Sequence, residues 1–400
     1  MSPEGSRRRV AVFTGSRAEY GLLVPVLRAI AAHPGLELRL VVGGSHLDAR
    51  FGATRDEIAR DGFAIHAEAP AAPEDDGLAA TAGAVGRGVL SVAEALGALE
   101  PDLFLVYGDR FEAFAALVAA TQMGIGTAHL EGGDLTEGGA LDDSLRHAMT
   151  KLAHLHFATN ADAAWRLGAL GEEPWRIASV GLPALDLIAA GEHATPAEVA
   201  RSCELDPDEP LVLFTQHSVA TAAADAVPQL RSSLEALDRL LAEGVQVLAT
   251  HPNQDAGGQA MAALLEAWAS ERPGARVVRS LGRARYHGAL ALCAEGRGVC
   301  AGNSSSGLKE TPVFGCPAVD VGARQAGRLR GENVLHVPHD AAAIEAALRR
   351  ALFDDAFRGR CREAPNPYGD GGAGGRIAEA LATAPLGAKL LQKRMTLRRA

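Results

Sequence analysis

Short apolar runs alternate with amphipathic stretches along most of the chain. Runs at 10–14 (VAVFT), 37–43 (ELRLVVG), 63–68, 102–107 (DLFLVY), 126–130 and 155–159 have the length of buried strands. Helical spacing of apolar positions follows most of them, as at 21–32, 111–123 and 141–153. Repeated strand-then-helix order predicts a parallel, doubly wound sheet. The pattern weakens at 170–210, where Gly171, Pro174, Gly181, Pro183, Gly191, Pro196, Pro207 and Pro210 punctuate the chain. A second series follows at 211–215 (LVLFT), 245–250 (VQVLAT), 276–279, 298–301, 317–321 and 333–337. The expected fold class is α/β, with two Rossmann-like doubly wound domains facing a cleft. Their expected bounds are 1–180 and 181–385, with a basic, frayed tail at 386–400.

Composition narrows the partners. The 400 residues are 48% apolar but only 4% aromatic, so Ala, Leu, Val and Gly must fill the cores. A formal charge of −10 argues against a nucleic-acid or membrane-surface partner. No apolar run stands out as one of the roughly 18 or more residues that a membrane span needs. Arg7, Arg8 and Arg9 precede an apolar segment too short for a signal-peptide core. The five cysteines form no C-x-x-C pair and read as reduced thiols, which suits a cytoplasmic protein.

Ligands of doubly wound sheets bind beyond the carboxyl ends of the strands. The turns after strands are therefore where chemistry is sought. The first, Thr14 to Gly21, opens a helix, where free backbone N–H groups favour an anion and Arg17 could hold a phosphate. It is neither a P-loop nor G-x-G-x-x-G. The second, Gly108-Asp109-Arg110, sets a carboxylate beside a guanidinium suited to phosphate, although Asp109 could instead cap the next helix. The third runs from His129 through Glu131 and Asp134 to Gly139. A helix then follows on which Asp142–Arg146 and Asp143–His147 read as i,i+4 pairs.

In the second half, Gln216-His217-Ser218 and His251-Pro252-Asn253 each place a histidine past a strand. Asn303 to Gly307 is a strand-to-helix turn rich in hydroxyls and backbone donors, as a diphosphate requires. Glu310 lies farther along, where a carboxylate could accept both ribose hydroxyls, and Arg324 and Arg328 add positive charge. His154 and His156 share one strand face and read as packed or hydrogen-bonded. No third ligand at zinc spacing accompanies them.

These segments together resemble the hydrolysing branch of the UDP-N-acetylglucosamine 2-epimerases, a branch that includes sialic-acid-pathway enzymes. The markers, in order, are TGSRAEYGLL, GGSHLD, GDRFEA, HLEGGDLTEG, DDSLRHAMTKLAHLHF, HPNQDAG, GNSSSGLKETPVFG and GARQAGR. The resemblance runs from about residue 10 to about 385 and implies a fold of the glycosyltransferase B type. Carried over by motif, Arg17, Arg110, His217, Asn253, Ser304, Ser305, Glu310 and Arg324 would contact UDP. Asp109, Glu131 and Asp142 would be the catalytic carboxylates, with His217 offsetting leaving-group charge. His46, Asp143 and Arg146 would lie near the sugar. Leu22 stands where the non-hydrolysing branch has Lys, which favours hydrolysis. Ser218 and Asp134 depart from the usual Pro and Glu.

The implied reaction converts UDP-N-acetylglucosamine to N-acetylmannosamine and UDP, by elimination to a glucal and addition of water. It needs no cofactor and no metal. The resemblance also implies a homo-oligomer, a dimer or tetramer. The same chemistry on a UDP- or GDP-linked 2,4-diacetamido-trideoxyhexose, a glycosyltransferase and a non-catalytic nucleotide-sugar sensor are the competing readings.

Overall fold

The computed structural model describes residues 7–48, 54–74, 78–135, 141–219, 224–252 and 257–396, with Arg17, Ala18, Leu78 and Leu141 described by their backbone alone. The apolar runs form two parallel sheets. The first contains β1 (Arg8–Thr14), β2 (Leu36–Gly43), β3 (Ile65–Ala69), β4 (Leu103–Tyr107), β5 (Gly126–Leu130), β6 (Leu155–Ala158) and β7 (Ile177–Ser179), in the order β3-β2-β1-β4-β5-β6-β7. The second contains β8 (Leu211–Thr215), β9 (Gln246–Thr250), β10 (Ala275–Val278), β11 (Gly298–Gly302), β12 (Ala318–Val321) and β13 (Val334–Val337), in the order β10-β9-β8-β11-β12-β13. Strands β4, β5, β6, β8 and β11 are buried at every position. Burial on both faces is why they read as continuous apolar runs, not alternating ones.

Strand order reverses between β1 and β4 in the first sheet and between β8 and β11 in the second. Crossover helices leave to opposite faces at such points, so the turns after the paired strands open a crevice there. The sequence motifs at Thr14–Gly21 and Gly108–Arg110 flank the first reversal. Those at Gln216–Ser218 and Asn303–Gly307 flank the second.

The chain divides into two compact units. Residues up to 134, 141–186 and 371–396 belong to the first, and 187–370 to the second. The junction lies within the Gly/Pro-rich stretch, but the second unit ends before 385. Helix Ala373–Thr383 returns to the first unit and packs on helix Arg17–Ala32. The Asp186 carboxylate accepts the N–H groups of Ala373 (2.8 Å) and Gly374 (2.7 Å), which anchors the start of the returning helix. A Cβ on Gly374 would stand 2.6 Å from the Pro25 carbonyl oxygen, so the two helix backbones meet where only glycine fits.

The expected frayed tail instead packs on the first unit over its described residues, which run to 396. Leu390 is buried, and Arg176 donates to the carbonyls of Leu390 (2.7 Å) and Gln392 (3.1 Å). Lys393 Nζ donates to the carbonyls of Thr150 (3.1 Å), Lys151 (3.1 Å) and Ala153 (2.6 Å) at the end of helix Leu141–Leu152. A cation there satisfies orphan carbonyls and complements the helix dipole. Lys393 also pairs with buried Glu172 at 2.7 Å, as do Lys151 and His156. Burial pushes the Glu172 carboxyl up, but those three hydrogen bonds outweigh it and hold the group at about 2.

Helix Leu78–Leu99 departs from the sequence reading. Its residues 79–99 are long and apolar enough to cross a membrane by length and composition, at mean hydropathy 1.3. Interspersed Gly, Ser and Thr hid that run. Val92, Ala95 and Leu96 on this helix pack with Ala113, Ala116 and Leu117 of helix Phe111–Gln122 in the first core.

Replacing Lys393 by Ala strips charged hydrogen bonds from three carbonyls and a buried carboxylate. Stability in urea at pH 7 should fall by about 1.5–3 kcal/mol. An unchanged midpoint would mean that the tail only lies on the surface.

Candidate active site

At the first reversal, β1 ends at Thr14, and Ser16 caps helix Arg17–Ala32 by accepting the Glu19 N–H at 3.4 Å. The Gly15 N–H donates to Glu19 Oε2 at 3.0 Å. The short turn Gly44–Leu47 presses on this loop. Gly44 has φ +52°, and a Cβ there would lie 2.4 Å from the Gly15 carbonyl oxygen. The Ser45 backbone N–H (2.8 Å) and hydroxyl (3.1 Å) both donate to that same oxygen. His46, on the turn, is bonded to Thr14 Oγ1 (3.0 Å) and Thr54 Oγ1 (2.9 Å). Burial pushes its pKa down to about 4, so the ring is neutral at pH 7. Arg17 begins the helix, and its side chain lies outside the described set.

Across the reversal, Gly108 follows β4 at φ +74°. Its carbonyl accepts a hydrogen bond from buried His129 Nε2 at 2.7 Å. That bond puts the proton on Nε2, and burial holds the ring neutral, with its pKa at about 3. Arg110 occupies the N-cap position of helix Phe111–Gln122, the position considered for Asp109, with no side-chain capping hydrogen bond. Its guanidinium grips the buried Glu112 carboxylate at 3.0 and 3.2 Å. The Asp109 carboxylate instead meets Arg146.

After β5 the chain turns sharply. Glu131 sits at φ +71°, a left-handed conformation that costs a residue with a Cβ about 1–2 kcal/mol. The backbone hydrogen bond from Glu131 N–H to the Phe157 carbonyl, at 3.0 Å, keeps it there. Tyr107 hydrogen-bonds to the Glu131 side chain, and burial together with the Glu131 charge pushes its phenol well above the ordinary value. Strain of this kind concentrates at functional sites.

Arg146, on helix Leu141–Leu152, ties these turns together. It is 2% exposed and reaches Asp109, Asp143 Oδ1 (2.6 Å) and the Asp134 carbonyl oxygen (2.9 Å). Burial opposes its charge, but Asp109, Glu131, Asp134 and Asp143 outweigh that and raise its pKa. The Asp143–Arg146 pair is i,i+3, a spacing absent from the i,i+4 reading. Asp142 is exposed in the first turn of the helix. Residues 136–140, part of the acidic Gly-rich segment, lie outside the described residues.

The second reversal is joined without charge. Asn303 Oδ1 accepts the His217 N–H at 2.7 Å, and its Nδ2 donates to the His217 carbonyl at 2.9 Å. Arg324 (3.1 Å) and Gln325 (2.9 Å) both donate to the Asn303 carbonyl. Gly302 has φ +121°, and a Cβ there would fall 1.9 Å from the Thr215 carbonyl oxygen. Burial and the Arg324 charge push His217 down to about 3, so the ring is neutral at pH 7. Ser304 bonds to Ser306 (3.0 Å), which bonds to the Tyr286 hydroxyl (2.6 Å). Ser305 precedes helix Ser306–Lys309, and Glu310, just after it, pairs with His287 at 3.1 Å. His251 pairs with Glu266 at 3.0 Å, and Asn253 lies outside the described residues. His154 and His156 are hydrogen-bonded to Thr127 and Glu172.

The first unit thus gathers Asp109, Arg110, Glu131, Asp143, Arg146 and His46 at one strand-order reversal. The second gathers His217, Ser304, Ser305, Glu310 and Arg324 at another. Sequence reasoning gave no role to Glu19, Tyr107, Glu112 or His129. For Glu19 a signal existed, since Ser16-x-x-Glu19 is the spacing of a capping box.

A family profile described as UDP-N-acetylglucosamine 2-epimerase matches residues 28–382. The chain is 33% identical over 386 residues to the UDP-N,N'-diacetylbacillosamine 2-epimerase (hydrolyzing) of Legionella pneumophila, covering 96% of this chain and 98% of that one. It is 30% identical over 358 residues to the UDP-N-acetylglucosamine 2-epimerase of Neisseria meningitidis serogroup B, covering 88% and 91%. A crystal structure of UDP-GlcNAc 2-epimerase from Neisseria meningitidis, bound to UDP-GlcNAc, is similar at TM-score 0.79 and 15% identity, covering 94% of this chain and 100% of that one. The fold is accordingly of the glycosyltransferase B type.

Removing the guanidinium tests the hub. Arg146→Met should cost about 3–5 kcal/mol of stability at pH 7 in urea, because it leaves carboxylates without their cation. Arg146→Lys should restore only part of that, since a point charge cannot reproduce the fork. Near-wild-type stability of the Met variant would remove Arg146 from this role.

Proposed function

The chain belongs to the UDP-N-acetylglucosamine 2-epimerase family, and from that premise we propose that it is a hydrolysing 2-epimerase of a UDP-linked 2-acetamido sugar. The observation that carries this reading is the group of carboxylates around Arg146 at the ends of β4 and β5. Loss of the C2 proton requires a base, and it is feasible only if the C1–O bond breaks alongside. Asp109, paired with Arg146, suits the base or the stabiliser of the cationic C1. Glu131, hydrogen-bonded by Tyr107, suits the partner that moves the second proton. Elimination gives a 2-acetamidoglucal and UDP. Water then adds at C1, a proton returns to C2 from the opposite face, and the free epimer leaves.

The second unit's set would hold the nucleotide. Hydroxyls and backbone donors at Ser304–Gly307 suit the diphosphate, Glu310 suits the ribose hydroxyls, and Arg324 adds charge. Neutral His217 would donate a hydrogen bond, and a diphosphate beside it would favour the protonated ring. Arg17, Arg110 and Asn253 complete this assignment, with His46 near the sugar and Asp142 a third carboxylate. Leu22, where the non-hydrolysing branch has Lys, supports release of free sugar.

For the sugar we favour the 2,4-diacetamido-trideoxyhexose. Its support is the Legionella relative, which matches more of this chain at higher identity than the Neisseria one. UDP-N-acetylglucosamine is the second reading, supported by the family's description.

Incubation with UDP-N,N'-diacetylbacillosamine, UDP-N-acetylglucosamine and a GDP-linked counterpart, followed by NMR, should show UDP and a free 2-epimer from the first. UDP release only when an acceptor is added would mean a glycosyltransferase. Tight binding without turnover would mean a sensor. Asp109→Asn and Glu131→Gln should each lower kcat by about 10²–10⁴. Near-normal rates would take those residues out of the reaction.

A further inference from the structure

Two buried carboxylates lie beneath the loops at the first reversal, and among the described residues only one forms an ion pair. Glu112 is 2% exposed, and both of its oxygens are held by Arg110. Glu19 is 5% exposed, and its Oε2 accepts the Gly15 N–H. Glu19 Oε1 is buried and has no hydrogen-bond partner. Glu112 packs under the same turn, since a Cβ on Gly15 would stand 2.9 Å from Glu112 Cβ. An ionised carboxylate with a bare buried oxygen, facing a second carboxylate, costs more than a neutral acid in that place.

We propose that Glu19 is a positioning residue that acts as an uncharged carboxylic acid, clamping the Gly15 N–H so that the turn can receive a diphosphate. As a neutral group it leaves Arg110 facing one contacting carboxylate, and it adds no negative charge beside the anion. When it ionises, a second negative charge appears behind the turn and diphosphate binding weakens. This rests on the reading that the turn after β1 meets the nucleotide.

Groups of both signs bear on Glu19, and those that favour its neutral form prevail. From the β4 side come Glu112, Arg110 and Asp109. The turn Gly44–Leu47, packed on Gly15, brings neutral His46. On its own helix, Tyr20 donates its hydroxyl to Asp61. Burial first, then Glu112, raise the Glu19 pKa to about 8, against the pull of Arg110 and the Gly15 N–H.

Two variants test this. Glu19→Gln keeps an oxygen to accept the Gly15 N–H but cannot ionise, while Glu19→Ala loses the clamp. Folded Glu19 binds its proton more tightly than the unfolded chain does, so wild-type stability is lost as pH rises from about 4.5 to about 8. The Tm of Glu19→Gln relative to wild type should therefore climb through that window and level off above it. With UDP as the probe, wild-type Kd should rise about tenfold between pH 7 and pH 9, as the protonated fraction falls. Glu19→Gln should show no such rise, and Glu19→Ala should bind weakly at every pH. Parallel Tm profiles for Gln and wild type, an alkaline loss of UDP binding shared by Gln, or a Gln variant as weak as Ala at pH 7 would each overturn the proposal. If wild type fails to bind UDP at any pH, the nucleotide reading fails, and the Tm profiles still decide the protonation state of Glu19.

Discussion

A buried guanidinium cannot be left alone, and the first unit is organised by that requirement at Arg146. Removing a cation from water costs several kcal/mol unless anions and carbonyls replace the hydration shell. Arg146 is satisfied only if the turn after β4 delivers Asp109, the turn after β5 delivers the Asp134 carbonyl, and its own helix delivers Asp143. Three segments distant in sequence are thus fixed to one another by one side chain. The same contact sets Asp109, which we assign to the proton chemistry, against a fixed cation.

The helix carrying Arg146 is held at its other end by Lys393, which connects the C-terminal segment to the site. That link explains why residues 371–396 cross back to the first unit after the second is complete. The second unit solves the matching problem with neutral groups. Asn303 offers one acceptor and one donor to the backbone of residue 217, which fastens β8 to β11 without adding charge to a turn that we assign to a diphosphate. Gly302 makes that closeness possible, because any side chain there would collide with Thr215.

Much of this was legible in the sequence, and physics separates what was from what was not. Parallel strands buried on both faces must be apolar throughout, so VAVFT, DLFLVY and LVLFT announce β1, β4 and β8 directly. Strand β7, of three residues, carries too little pattern to be seen. Turns carrying Gly, Arg and Ser pointed to the strand-order reversals because backbone donors, guanidinium groups and hydroxyls belong beside anions. Partners remote in sequence were not legible. Nothing local says that Arg146 meets Asp109, that Lys393 seeks residues 150–153, or that Arg110 is matched by Glu112. Charge states were hidden for the same reason, since burial of His217 and Glu19 depends on the assembled fold. The i,i+4 rule left out the Asp143–Arg146 pair, whose spacing is i,i+3.

The central claim is that the carboxylates around Arg146 exchange the C2 proton of a UDP-linked 2-acetamido sugar with solvent while C1–O breaks. Turnover in D2O tests it most directly. Mass spectrometry and NMR of the released sugar should show one deuterium at C2 in every product molecule, with inverted C2 configuration. Free sugar carrying protium at C2 and unchanged configuration, formed together with UDP, would show plain hydrolysis and contradict the account.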